Sequence, residues 1–308
     1  MNVLSLFDGL SCGQIALNRA DIKYDNYYAS EIDKHAIKVT QHNYPNTIQL
    51  GSVTEIKGSD LPQIDLIIGG SPCQGFSFAG KQLNFDDPRS KLFFEFVRLK
   101  NELNPKYFLL ENVVMKQEFQ DVITEYLGVK PIKINSKLVS AQTRERLYWT
   151  NIPNVKEPED CGITLCDILE DIGINGEFYD RKKLNKATIL GRRLNEHGKR
   201  DDYNKSIPIT QCLEVRATNR DKSNCITTVA KDNVLTTLPI GRHTDAFKRN
   251  LPFRYFTIKE HCRLQTVPDD YFDGVASENQ IRKMIGNGWT VDVISHIFKN
   301  IHQEILVN

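Results

Sequence analysis

No apolar run in the sequence approaches the roughly 18–20 residues that cross a bilayer, so no membrane-spanning helix is expected. The first residues lack a basic n-region and place Asp8 inside the first apolar stretch, which reads as no secretory signal. Internal repeats and low-complexity tracts are missing too. Paired cysteines are lacking: the seven are odd in number and irregularly spaced. That fits reduced thiols in a cytosol, not a disulfide framework. Only Cys161 and Cys166 lie close together, with no second pair and no histidine at ligand spacing, so zinc is not expected.

What is present is ordinary globular composition, 40% hydrophobic and 26% charged over 308 residues. That length allows one large domain or two unequal ones. The net charge of +1 hides an imbalance, because residues 181–260 hold 18 Lys/Arg against 8 Asp/Glu. One strongly basic segment in a near-neutral chain points to a polyanion on one side. Charge alone reads equally well as a solvated face.

Apolar strand-like runs ("VLSLF", "YDNYYASE", "QIDLIIGG", "YFLLENV") alternate with helical spacing over the first 115 residues. This predicts an α/β fold with a doubly wound, mostly parallel sheet. Beyond about residue 150 the chain becomes polar and basic, with short Thr/Val-rich pieces such as "CITTV" and "NVLTTL". A smaller, mixed second domain with strands is expected there. Helical periodicity returns in "SENQIRKMIGNGWTVDVISHIFKNIHQEIL". The expected division is 1–152, 153–250 and 251–308, the last returning to the first.

Ligands of such sheets bind beyond the carboxyl ends of the strands. Gly9 and Gly13 fall in the first strand-to-helix turn, where small residues admit a ligand to the backbone. Glu31 ends the second strand, placed to accept hydrogen bonds from ribose hydroxyls. The pattern "FDGLSCG" is not G-x-G-x-x-G, and at this level NAD, a flavin or S-adenosylmethionine all fit. Cys73, in "SPCQGF", follows a strong strand, and Glu111, in "LLENV", ends the next. A thiol and a carboxyl facing one crevice make sense if the thiol attacks a ring carbon and the carboxyl handles a ring nitrogen. Taken singly, such a cysteine reads as packing and such a glutamate as a cap.

The run "SPCQGFSFAG", "ENV", "SAQTRERLYW", "CRLQTVPDDY", "IGNGW", in that order, resembles the cytosine-C5 DNA methyltransferases over nearly the whole chain. Some wording ("LSLFDG", "KLFFEF", "ENVV") is similar to the animal de novo subfamily, while "PCQGFS" looks more bacterial or phage. The resemblance implies a DNA (cytosine-5) methyltransferase using S-adenosylmethionine. Cys73 would add to cytosine C6, Glu111 would bond N3 and the exocyclic amine, and Arg144 and Arg146 would hold the flipped base, its phosphate or the carboxylate. Phe7, Asp8, Gly9 and Gly13 would wrap the cofactor, with Glu31 at the ribose, and Ile32, Ser52, Val53, Ser71, Pro72, Asn287 and Gly288 completing the pocket. Ser52 stands where the family usually has aspartate. Residues 74–91 would be a loop closing over the base, and 153–250 the target-recognition region, with Arg216 or Lys222 and "CITT" behind it. Implied partners are double-stranded DNA and a possible restriction nuclease, in a cytoplasmic or nucleoid-associated setting. The alternatives are a transfer-RNA cytosine-5 methyltransferase, a non-catalytic DNA-binding homologue and, on another footing, an NAD-dependent oxidoreductase.

Overall fold

The apolar runs become strands of one sheet: β1 (Asn2–Leu6), β2 (Asn26–Ser30), β3 (Ile48–Gln49), β4 (Leu66–Gly70), β5 (Tyr107–Val113), β6 (Ile132–Asn135) and β7 (Glu145–Thr150). The computed structural model describes residues 1–71, 88–215 and 221–305. The strand order is β3-β2-β1-β4-β5-β7-β6. β1 to β5 run parallel, while β7 is antiparallel to both β5 and β6.

Successive residues of a strand face opposite ways, and here both faces are covered. Leu4, Leu6 and Ile67 pack with Phe93 and Phe96 of helix α3 (Pro88–Leu103) and Ile123 of α4 (Gln117–Leu127). Val3, Ile68 and Leu109 face the other side, with Ile15 and Leu17 of α1 (Cys12–Arg19) and Val39 of α2 (Lys34–Asn43). Burial on two sides is why these strands read as nearly unbroken apolar runs. Pro88 opens α3, a position where its missing N–H costs nothing. The expected loop 74–91 therefore already contains helix from residue 88, and residues 74–87 of it lie outside the described residues.

A second, antiparallel sheet has the order β11-β9-β8-β10-β12. Its strands are β8 (Asn185–Arg193), β9 (Ile209–Val215), β10 (Val234–Thr236), β11 (Gly241–His243) and β12 (Phe253–Tyr255). "NVLTTL" thus supplies β10, but "CITTV" forms no strand. Its backbone is instead committed elsewhere: Asn233 Nδ2 donates to Cys225 O and Ile226 N donates to Gln142 Oε1. Lys222 is buried, with Nζ donating to the carbonyls of Lys137, Ser140 and Ile163. It fastens the chain behind the first sheet. Arg216 lies outside the described residues.

Four more helices lie among the described residues: α5 (Leu165–Ile168), α6 (Ile258–Leu264), α7 (Glu278–Asn287) and α8 (Val291–Ile305). α8 packs on α1, and Arg19 pairs with Asp292 at 2.7 Å. Fully buried Glu260 on α6 binds Arg254 of β12 at 2.8 Å through each oxygen, and also accepts the N–H of Thr257 and Glu170. This pair ties the second sheet to the helices that return to the first. Among the described residues, no helix is long and apolar enough to cross a membrane.

Candidate active site

The chain turns in opposite directions from β1 and β4, so a crevice opens between their carboxyl ends. A cavity of about 510 Å³ lies there, within the range of small-ligand sites. Each neighbouring strand end contributes to its wall.

After β1, the backbone folds tightly around Phe7, Gly9 and Ser11, all at φ near +60°. Glycine takes this conformation freely, but a bulky phenylalanine does not, so the loop stores strain at the cavity wall. Glu31 holds the turn in place. Its Oε2 accepts the Gly9 N–H at 2.8 Å, and Oε1 accepts the N–H groups of Ile32 and Asp33. Asp8 is buried against the cavity, and Tyr27 donates its hydroxyl to Oδ1. The other oxygen, Oδ2, has no hydrogen-bond partner among the described residues. Burial pushes the Asp8 carboxyl up to about 6. Ile32 lines the cavity with 77% of its surface open. Ser52 and Val53 form the opposite rim, where the Ser52 hydroxyl accepts from Thr54 N and caps a short turn.

Gly13 does not belong to this wall. It lies within α1, and a Cβ there would come within 2.5 Å of Ile68 and Tyr27. Its smallness lets the helix approach the sheet; it does not admit a ligand.

The β4 exit is fixed by Asn112, whose Nδ2 donates to Ser71 Oγ at 3.2 Å. Pro72 and Cys73 follow directly and lie outside the described residues. On β5, Gly70 pairs with Glu111, and Glu111 pairs with Tyr148 of β7. Arg146 is two residues from Tyr148 and thus diagonal to Glu111 on the same face, within reach of a long side chain. Its Nε sits 3.0 Å from Glu111 Oε1. The other oxygen, Oε2, accepts the indole N–H of Trp289 at 3.1 Å.

Of the roles expected for the two arginines, Arg146 holds the carboxylate and Arg144 does something else. The Arg144 guanidinium is buried and donates to the carbonyls of Ile226, Gly286 and Gly288 and to the Cys225 sulfur. It joins the "CITT" and "GNGW" segments to the start of β7, so both of its terminal amino groups are taken by the protein. Gln265 strengthens the same knot, donating to Ile285 O and Gly288 O while accepting from Thr290. Gln142 adds a donor to Leu264 O. Asn287 and Gly288 thereby reach the cavity wall. Cys12 also lines it, but burial pushes its thiol up to about 12, which keeps it un-ionised.

Sequence reasoning did not assign Trp289, Asn112, Gln142 or Gln265. All four stand inside the family-like motifs ("IGNGW", "ENV", "QTRER", "CRLQTV"), which was the available signal.

The model of the C-5 cytosine-specific DNA methylase family matches residues 1–303. The chain is similar to orphan methyltransferase M.SPRI of Bacillus phage SPR, 37% identical over 49% of this chain and 38% of that protein. It thus spans well under half of this phage relative. It is similar to type II methyltransferase M1.ScrFI of Lactococcus lactis subsp. cremoris, 29% identical over 96% of this chain and 76% of the relative. A crystal structure of a Spodoptera frugiperda DNMT2 mutant shares the fold, with a TM-score of 0.67 and 22% identity over 98% and 99% of the two chains.

Proposed function

The chain belongs to the C-5 cytosine-specific DNA methylase family, and we propose that it methylates C5 of cytosine in double-stranded DNA. The observation that carries this reading is the Glu111 carboxylate, held by Arg146 and Trp289 on the strand beside the one leading into Pro72-Cys73. A carboxylate has about four lone-pair sites, so two clamps leave room for a substrate ring.

The residues present fit S-adenosylmethionine. The unpartnered Oδ2 of buried Asp8 calls for a donor such as an ammonium or hydroxyl. Exposed Ile32 offers an apolar wall, and the cavity has the size of a nucleoside ligand. In this reading Phe7, Asp8, Gly9, Glu31, Ile32, Ser52, Val53, Ser71, Pro72, Asn287 and Gly288 bind the cofactor. When bound, the cofactor supplies an electrophilic methyl group.

The protein's part is to make C5 nucleophilic. Cys73 adds through sulfur to C6, and the electron pair of the C5–C6 bond becomes available at C5. Glu111 bonds N3 and the exocyclic amine, and Arg146 keeps that carboxyl in place. After methylation a base removes the C5 proton, the double bond re-forms and Cys73 leaves. C5 is out of reach in a stacked duplex, so the cytosine must be flipped at a cost of a few kcal/mol. Residues 153–250 form the target-recognition region, and the basic surplus of the overlapping segment 181–260 suits phosphates. A DNA substrate implies a cytoplasmic or nucleoid-associated protein, with a restriction nuclease as a possible companion.

The test is transfer of a labelled methyl group to duplex DNA and, separately, to transfer RNA, followed by bisulfite sequencing. Label in DNA that disappears with Cys73→Ala is expected. Label confined to transfer RNA moves the reading to RNA. Turnover that survives Cys73→Ala removes the nucleophile assignment.

A further inference from the structure

Glu111 has two clamps, and only one of them is a charge. We propose that Trp289 is a positioning residue for the reaction, acting through Glu111: its indole N–H fixes the carboxylate at the angle needed to meet the pyrimidine ring. The inference rests on the methyl-transfer reading above.

Three observations carry it. The indole Nε1 lies 3.1 Å from Glu111 Oε2, opposite the oxygen that Arg146 holds, so the carboxylate is gripped at both ends. The strand beneath is cleared for this contact. A Cβ on Gly70 would come 2.9 Å from Trp289 Nε1 and 3.0 Å from Glu111 Oε2. Gly70 is not at positive φ, so space and not backbone conformation requires glycine there. Finally, the turn bearing Trp289 is immobilised. Arg144 and Gln265 both bind Gly288 O, the Cys12 thiol donates to Trp289 O, and Thr290 bonds Gln265 and Ser136. A donor presented by so many buried polar contacts is preorganised, which is what catalysis by orientation needs. A tryptophan serving only as cavity wall needs none of them.

Trp289→Phe keeps the ring and deletes the N–H. Against duplex DNA, kcat should fall on the order of 10-fold, the worth of one hydrogen bond to a charged group. The KM for DNA and the dissociation constant of S-adenosylhomocysteine should stay within about two-fold. In a Glu111→Gln background the same change should alter residual turnover by less than about two-fold, because both act through one group. Gly70→Ala, which intrudes on the contact from below, should reproduce the kcat loss. Wild-type kcat in both single variants overturns the proposal. So does a loss confined to S-adenosylhomocysteine binding, or full additivity with Glu111→Gln. A wild-type protein that methylates neither DNA nor transfer RNA removes the methyl-transfer reading, and this inference with it.

Discussion

The two sheets differ in how they are buried. The seven-stranded sheet carries apolar clusters on both faces, with Trp149, Phe93 and Phe298 fully enclosed. The five-stranded sheet has one small cluster built on Ala187, Ile189, Leu213, Val215, Val234 and Ala246. Around it Ile209, Ile240, Phe247 and Tyr203 remain open to solvent. The candidate site sits at the carboxyl ends of the first sheet's central strands, beside this closely packed core. The second sheet joins the main core through Leu235 of β10 and otherwise leaves more of its apolar side chains at the surface.

The sharpest way to break this comparison is to cut into each core. Trp149→Ala should lose about 3–5 kcal/mol in urea denaturation, and Leu213→Ala about 2–3 kcal/mol. Equal losses would mean the small sheet is not the weaker body. Next comes the tie between them. Glu260→Gln strands the buried Arg254 guanidinium, whose Nε already lacks a partner among the described residues. It should cost about 3 kcal/mol, read by the same denaturation.

A pH series separates the bodies more finely. Burial lowers His261 from 6.5 to about 4, so its contribution is present above pH 6.5 and lost as pH falls toward 4. Asp8 is raised from 3.8 to about 6, so its contribution is present below 3.8 and lost as pH rises through 6. Each is worth on the order of 3 kcal/mol, and they oppose one another over nearly the same window. The wild type should therefore change little from these two groups between pH 4 and 6.5. Asp8→Asn should lose stability on acidification, and His261→Gln should gain it, as measured by melting temperature. The smallest effects belong to the open surface. Tyr203→Ser and Phe178→Ser should each move stability by no more than about 0.5 kcal/mol, because both side chains are largely exposed.

Much of the large sheet was legible. "VLSLF", "QIDLIIGG" and "YFLLENV" are apolar because both faces are buried, and Gly or acid residues mark their exits. Glu31 was readable as the acid just past β2, whereas Glu111, expected at a strand end, sits inside β5, which continues to Val113. The small sheet was less legible: "CITT" has strand composition, yet its backbone serves Gln142 and Asn233. Gly13 looked like a ligand-approach glycine because sequence cannot distinguish a turn from a helix face pressed on Ile68. The arginines of "QTRER" looked equivalent because only register reveals which one shares a face with Glu111.

The sequence by itself determined the alternation of strands and helices, the acid that follows β2 and the order of motifs that marks the family. These are local properties, set by residue periodicity and by chemistry within short segments. Only the tertiary structure decided that β7 runs antiparallel beside β5, that Arg146 and not Arg144 meets Glu111, and that Trp289 reaches across 178 residues to the same carboxylate. Those contacts depend on strand order and on buried polar knots between distant segments, and neither is written in any one stretch of chain.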